Sequence, residues 1–412
     1  MRRMVQRRIK CSAAAVAGVA VLLSSCSNST SGSGSPTGST GAGQIRILMS
    51  APLTGASAET GKDMVDGANL AAEYLNSKGG VASGPLKGRQ YVIEPADDQL
   101  QTQAATTIAA RFADDDGIFA MAGFETSGQA QAAGVVLKKY QLPLVVTFAS
   151  ADFLTKDAHN NVIIAAAVSN YARAVTDFAA KDLKAKSAAS IAADYSFLDS
   201  YYKGLTDGTQ TNSLTLTSKI SYPQDTTDFS TLLTRINESS PDVVLTAALQ
   251  GDAGKIAAQM RRSNMKQPLM DYLGEGWGKT FADAAGSALS IGDYYQTDPA
   301  DVFPAKGSLL SEMDGKFNKE FGKNISTPAM HGFDSIVSIA AAIDAGATSK
   351  QDLLQNFPKA KGEGLLGPID FTSELTPKQR VLSISKVTGP GPRDRSLVAS
   401  YSVGADGSVR RR

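Results

Sequence analysis

Between Ile45 and Ser263, short apolar runs alternate with segments whose apolar residues recur at three- and four-residue spacing, and this alternation most constrains the fold. A strand followed by a helix, repeated, packs as a parallel sheet with helices on its faces. Residues 45–49, 91–95, 118–122 and 143–147 read as strands. Met64, Ala68, Ala71 and Leu75 mark one face of the first helix, and residues 101–113 and 127–140 carry the next two. The pattern breaks near Ala167 and resumes, with helices expected at 171–183, from 196, at 229–237 and at 253–263. Strands are expected there at 188–193, 216–221 and 242–247. Two α/β lobes of similar size follow, with a ligand crevice outside the carboxyl ends of their strands.

The first 25 residues stand apart from this pattern. Arg2, Arg3, Arg7, Arg8 and Lys10 precede a short apolar stretch from Ser12 to Leu23, the layout of an export signal. The stretch is about half of the roughly 20 residues a spanning helix needs. Leu23, Ser24, Ser25 and Cys26 resemble a bacterial lipobox, which implies cleavage before Cys26 and a lipid on its thiol. Residues 1–25 are thus an expected lipoprotein signal peptide, and residues 26–43, rich in Ser, Gly and Thr, an expected flexible tether. Removal of the signal takes five basic groups, changing the formal charge from +1 to −4. Neither value gives the basic footprint that nucleic-acid binding needs. Cys11 leaves with the signal and Cys26 is committed to lipid, so disulfides, thiol catalysis and cysteine-based zinc sites are not expected. His159 and His331 each lack a partner at ligand spacing, and a surface or capping role is expected for both.

Ala51-Pro52-Leu53-Thr54-Gly55, then Gly61, Gly67, Leu70-Ala71, Asn76 and Gly79-Gly80, resemble the opening of the type I periplasmic binding proteins, in particular their branched-chain amino acid subfamily. Asp228-Phe229-Ser230, Pro241-Asp242-Val243-Val244 and Gly332-Phe333-Asp334-Ser335 continue the likeness in order, over roughly residues 44–387. The resemblance implies a two-lobed α/β fold, each lobe a mostly parallel sheet flanked by helices, joined by a three-crossover hinge. It places the first lobe at 44–167 plus 297–375, the second at 168–296 plus 376–395, and leaves 396–412 as a C-terminal tail with a frayed end. It also implies a monomeric substrate-binding protein, without cofactor, that delivers a small solute to an ABC permease.

An amino acid's carboxylate calls for hydroxyls and backbone N–H groups at a helix N-terminus. Glu125, Thr126 and Ser127 stand just before a predicted helix, which Ser127 is expected to cap. By resemblance, Phe148, Ala149 and Ser150 form a second ligand-contacting loop. Phe197 takes the place of an aromatic that closes over the ligand, and Thr60 a place where the subfamily often has an aromatic. Leu249 or Gln250 is a further candidate. An ammonium group calls for an ionised carboxylate, and Glu275, between two glycines, aligns with the family's acidic residue and is the main reason to expect an amino acid.

Catalytic patterns are missing from the sequence. Gly278-Lys279-Thr280 ends like a phosphate loop, but the required glycine position holds Leu273. No metal site is expected, and Asp114-Asp115-Asp116 reads as a solvated turn. The function expected is capture by a lipid-anchored protein on the outer face of the cell membrane. The rivals are a sensor of the same fold coupled to a membrane receptor, and a site for a non-amino-acid solute such as an amide or aromatic acid.

Overall fold

The computed structural model describes residues 43–55, 57–156, 159–224, 226–248, 250–272, 279–286, 290–297, 305–389 and 394–412. Strands β1 (Gln44–Ala51), β2 (Gln90–Asp97), β3 (Ala120–Gly123), β4 (Leu144–Val146) and β5 (Asn161–Ile163) form one sheet in the order β2-β1-β3-β4-β5, every neighbouring pair parallel. Helices α1 (Ala58–Ser77), α2 (Thr102–Asp114), α3 (Ser127–Lys138) and the short α4 (Phe153–Lys156) connect them. β3 and β4 are buried along their whole length, as befits strands covered on both faces.

The unit then repeats. Helix α5 (Val168–Lys181) leads into β6 (Ser187–Ala193), α6 (Leu198–Thr211), β7 (Thr215–Tyr222), α7 (Ser230–Glu238), β8 (Val243–Ala247), α8 (Gln250–Arg262), β9 (Leu269–Asp271), α9 (Lys279–Ala285) and β10 (Tyr294–Thr297). The chain returns to the first sheet through α10 (Leu309–Phe321), α11 (Thr327–Asp344), α12 (Leu353–Asn356) and a small hairpin of β11 (Lys361–Glu363) and β12 (Pro368–Asp370). It crosses back to add β13 (Gln379–Val387), β14 (Arg395–Gly404) and β15 (Val409–Arg411). The second sheet reads β15-β14-β13-β10-β9-β8-β6-β7, parallel from β7 to β10 and antiparallel beyond.

The expected alternation is present, with helix boundaries shifted by one to a few residues: α3 ends at Lys138 and α5 runs from Val168 to Lys181, where 127–140 and 171–183 are expected. The third strand begins at Ala120 rather than at Ile118. The C-terminal segment corrects the sequence reading. Residues 396–412 are the two outer strands of the second sheet, with Ala399, Tyr401 and Val403 buried in its core. Their period-two burial is a strand signal that the closing run of arginines obscures.

Helix α11 is buried from Thr327 to Ile343, because it fills the space between α1 and the first sheet. It can approach α1 closely only through glycine. A Cβ added at Gly67 would lie 1.9 Å from the Ala329 carbonyl oxygen, and one at Gly332 would lie 2.0 Å from that of Met64. Between the sheets, Arg380 is buried and its guanidinium holds three carbonyls. Nε donates to Ile164 O at 2.8 Å, and Nη1 to Pro368 O and Gln379 O at 3.1 Å each, so two crossing segments are pinned to one side chain.

Candidate ligand-binding cleft

In both parallel sheets the second strand lies on one side of the first and the third strand on the other. The chain direction therefore reverses between β1 and β3 and again between β6 and β8. Loops leaving a sheet on either side of such a point diverge and open a crevice at the strands' carboxyl ends. In the first sheet these loops carry Ser57 and Glu125. In the second they carry Tyr195 to Phe197 and the start of α8.

The backbone at the first switch point is held in an unusual shape. Gly123 has φ of 147°, and a Cβ there would sit 2.3 Å from Ser50 O. Phe124 follows with φ of 71°, in the left-handed region that a bulky residue seldom enters. Its carbonyl takes the N–H groups of Phe148 and Ala149, both at 3.3 Å, which ties the two expected ligand loops together. Phe148 packs edge-on against His331, with ring centroids 4.9 Å apart. His331 is buried, with Nδ1 2.9 Å from Thr147 O, so its expected surface or capping role is replaced by a place in the core behind the cleft. His159 is exposed.

Thr126 occupies the N-cap position of α3 and makes no side-chain bond to the helix's free N–H groups. Its hydroxyl donates to Gln129 Oε1 at 2.9 Å instead. Ser127 is therefore the first helical residue and not the cap expected of it. Its buried hydroxyl accepts the Ala151 N–H at 3.2 Å, bracing the next loop. Glu125 is buried, and Ser57 donates to its Oε1 at 3.1 Å. Its Oε2 has no partner among the described residues. Burial, aided by the nearby negative charge of Asp98, raises this carboxyl to about 8 despite the Ser57 bond. Asp98 is itself fully buried, receiving the Ser50 hydroxyl at 3.0 Å and the Leu100 N–H at 2.9 Å, and burial raises it too. Thr60 is buried one turn along α1 from Ser57.

The opposite wall is aromatic. Phe197, at the N-cap of α6, stacks on Tyr195 at 5.6 Å and meets Tyr272 edge-on at 6.0 Å, while Tyr201 stacks on Tyr272 at 4.9 Å. The two walls touch. A Cβ added at Gly128 would lie 3.4 Å from Ser196 Oγ, and Asp152 N donates to Ser200 Oγ at 3.0 Å.

The fold thus places Glu125, Thr126 and Ser127 after β3, Phe148 and Ala149 after β4, Thr60 one turn along α1 from Ser57, and Phe197 on the loop before α6. Ser150, the residue after Ala149, lines a cavity of about 290 Å³ with Asp152, Asn170, Arg173 and Arg380. Cys26, Leu249, Glu275 and the side chain of Gln250 lie outside the described residues. Sequence reasoning missed Ser57, Asp98 and Tyr272. Only their places after β1, β2 and β9 could have signalled them, and that signal requires the strand order.

Two α/β lobes, each opening a crevice at its switch point toward the other, define a two-lobed solute-binding protein. The comparisons agree. A model of the periplasmic binding proteins matches residues 44–390. The Leu/Ile/Val-binding protein BraC3 of Rhizobium johnstonii is 31% identical over 65% of this chain and 72% of its own length. The Leu/Ile/Val-binding protein homolog 3 of Brucella melitensis is 26% identical over 74% and 80%. The isoleucine complex of the branched-chain amino acid transporter substrate-binding protein LivJ from Streptococcus pneumoniae superposes with a TM-score of 0.75 at 21% identity, covering 86% of this chain and 99% of its own. A solute-binding protein of an ABC transporter from Rhodopseudomonas palustris, in complex with 3,4-dihydroxybenzoic acid, gives 0.76 at 19% identity, covering 88% and 98%. The chain belongs to the periplasmic binding protein family, in its type I, branched-chain amino acid subfamily.

Proposed function

We propose that this protein captures a small amino-acid-like solute between its lobes and hands it to an ABC importer from a lipid anchor on Cys26, outside the cytoplasm. The carrying observation is the apposition of the α3 N-terminus with the loop before α6, where Gly128 and Ser196 face across the cleft. A ligand there contacts both lobes at once, which is what favours the closed state. The moving bodies are residues 44–167 with 297–375, and 168–296 with the strands from 376 onward. The free N–H groups of α3 and the Ser127 hydroxyl receive the carboxylate, Glu275 receives the ammonium, and Phe148 and Phe197 flank the side chain. Thr60, Thr126 and Ala149 shape the first wall, and Leu249 and Gln250 the second. The protein acts as a monomer with the permease as its partner. Among the described residues no helix is long and apolar enough to cross a membrane.

The aromatic wall of Tyr195, Phe197 and Tyr272 supports a second reading, an aromatic carboxylic acid. The neighbour that holds 3,4-dihydroxybenzoic acid keeps this fold. A thermal-shift screen of unliganded protein separates the two. A ligand at a hundred times its Kd adds about 2.7 kcal/mol. A shift with L-leucine, abolished or weakened more than tenfold by Glu275→Gln, supports the amino-acid reading. A shift with benzoate alone removes Glu275 from the site. Cys26→Ser releases the protein from the membrane fraction if the anchor is as described.

A further inference from the structure

Glu125 is a carboxyl group whose charge finds no partner among the described residues. One oxygen accepts from the Ser57 hydroxyl, and the other is buried and unpartnered among the described residues. Asp98, its acidic neighbour, already takes the Ser50 hydroxyl and the Leu100 N–H. Among the described residues, the remaining charged or titratable groups on the surrounding elements are committed elsewhere or exposed. Asp97 takes Leu53 N, Thr54 Oγ1 and Gln99 N, and Asp63 pairs with Lys323. His331 Nδ1 is within hydrogen-bond distance of the Thr147 carbonyl, and Glu59 and Lys62 on the first two turns of α1 are exposed. A buried acid beside a second acid, with only a hydroxyl for company, keeps its proton. The raised value of about 8 agrees.

We propose that Glu125 is a neutral hydrogen-bond donor to the bound solute: its Oε2 carries the hydrogen and gives it to the ligand's carboxylate at the start of α3. An ionised Glu125 would repel that carboxylate beside Ser127. Capture is thereby coupled to one proton on the protein, and the site selects acids over amides of the same shape. Ser57, through its bond to Oε1, is a positioning residue that leaves Oε2 as the oxygen turned to the ligand. The proposal rests on the reading that this crevice takes a carboxylate, for an amino acid and an aromatic acid alike.

The test compares the protein with Glu125→Gln, which holds a donor at the same place at every pH. Without ligand, thermal unfolding is followed from pH 6 to pH 9. A proton held only in the folded state makes the Tm of the wild type fall relative to the variant as pH rises, and parallel curves overturn the proposal whatever the ligand. With L-leucine and with benzoate, Kd is measured by calorimetry over the same range. The wild type is expected to weaken about tenfold more than the variant between pH 7 and pH 9, the slope of a single proton lost near pH 8. The ligand's own titration cancels in that comparison. Equal pH dependence in the two proteins, or wild-type binding that strengthens as Glu125 ionises, overturns the proposal. Diverging stability curves with no binding of either acid would instead sink the carboxylate reading of the cleft, and with it the donor role.

Discussion

Arg380 Nε donates to the carbonyl oxygen of Ile164 at 2.8 Å, joining the second residue of β13 in the second sheet to the segment by which the chain first leaves the first sheet. The same guanidinium holds Pro368 O and Gln379 O. A fully buried arginine is tolerated because each bond satisfies a carbonyl that water cannot reach, and because the buried carboxyl of Asp334 acts on it electrostatically.

Replacing this side chain by an apolar one of similar length leaves those carbonyls unpaired. Arg380→Met is expected to cost about 3 to 5 kcal/mol, the usual loss when one member of a buried charged network is removed. Denaturant unfolding checks it, and a cost below 1 kcal/mol would show that the hinge segments hold without the pin.

The crossing of α1 and α11 gives a second expectation. Gly67→Ala and Gly332→Ala each drive a methyl into a backbone carbonyl, a contact no rotamer relieves. Each should destabilise the first lobe by about 1 to 3 kcal/mol, and Gly315→Ala, with open space around its Cβ position on α10, should not.

Ser127→Ala leaves the Ala151 N–H without its acceptor. A loss of about 1 kcal/mol in stability follows. Under the proposed function, L-leucine binding weakens about tenfold in the same variant, because a bound carboxylate loses a hydroxyl donor. Calorimetry and thermal unfolding on the same sample separate the two effects.

Asp66 on α1 is half-buried near Asp63, and burial first, then that like charge, raise it to about 6. Its folded value lies above the unfolded one, so the folded state holds the extra proton. The stability this gives is complete below the ordinary carboxylate range and is lost as pH rises through about 6. Asp66→Asn is therefore expected to gain stability relative to the wild type on going from pH 4 to pH 7, by about 1 kcal/mol after allowance for solvent screening. Differential scanning at the two pH values would expose a constant difference if the reasoning fails.

Much of this architecture is legible in the sequence. The alternation of apolar runs with helical periodicity marks the strand–helix units, because burial on both faces of a sheet demands continuous apolar strands and helices need only one apolar stripe. The break near Ala167 marks the first crossing between sheets. Glu125 to Ser127 are nominated by their place before a helix and Phe148 to Ser150 by the family resemblance, and the fold ties the two loops together through the Phe124 carbonyl.

Other features were decided by contacts that no local pattern carries. His331 was read as a surface or capping residue, yet it is buried because α11 is enclosed on every side. The closing segment was read as a tail, yet β14 and β15 finish a sheet whose other strands lie far back in the chain. Ser127 was given the cap of α3, but the boundary falls one residue earlier, where Thr126 turns its hydroxyl to Gln129. The sequence by itself determined the elements and their order, since these follow from periodicity along the chain. Only the tertiary structure decided which strands neighbour each other, and so where the switch points fall. That placement sets Ser57 against Glu125, 68 residues apart, and leaves a carboxyl buried without a counter-charge among the described residues. Pairings between distant segments depend on how whole faces pack, and the residues concerned carry no local mark of them.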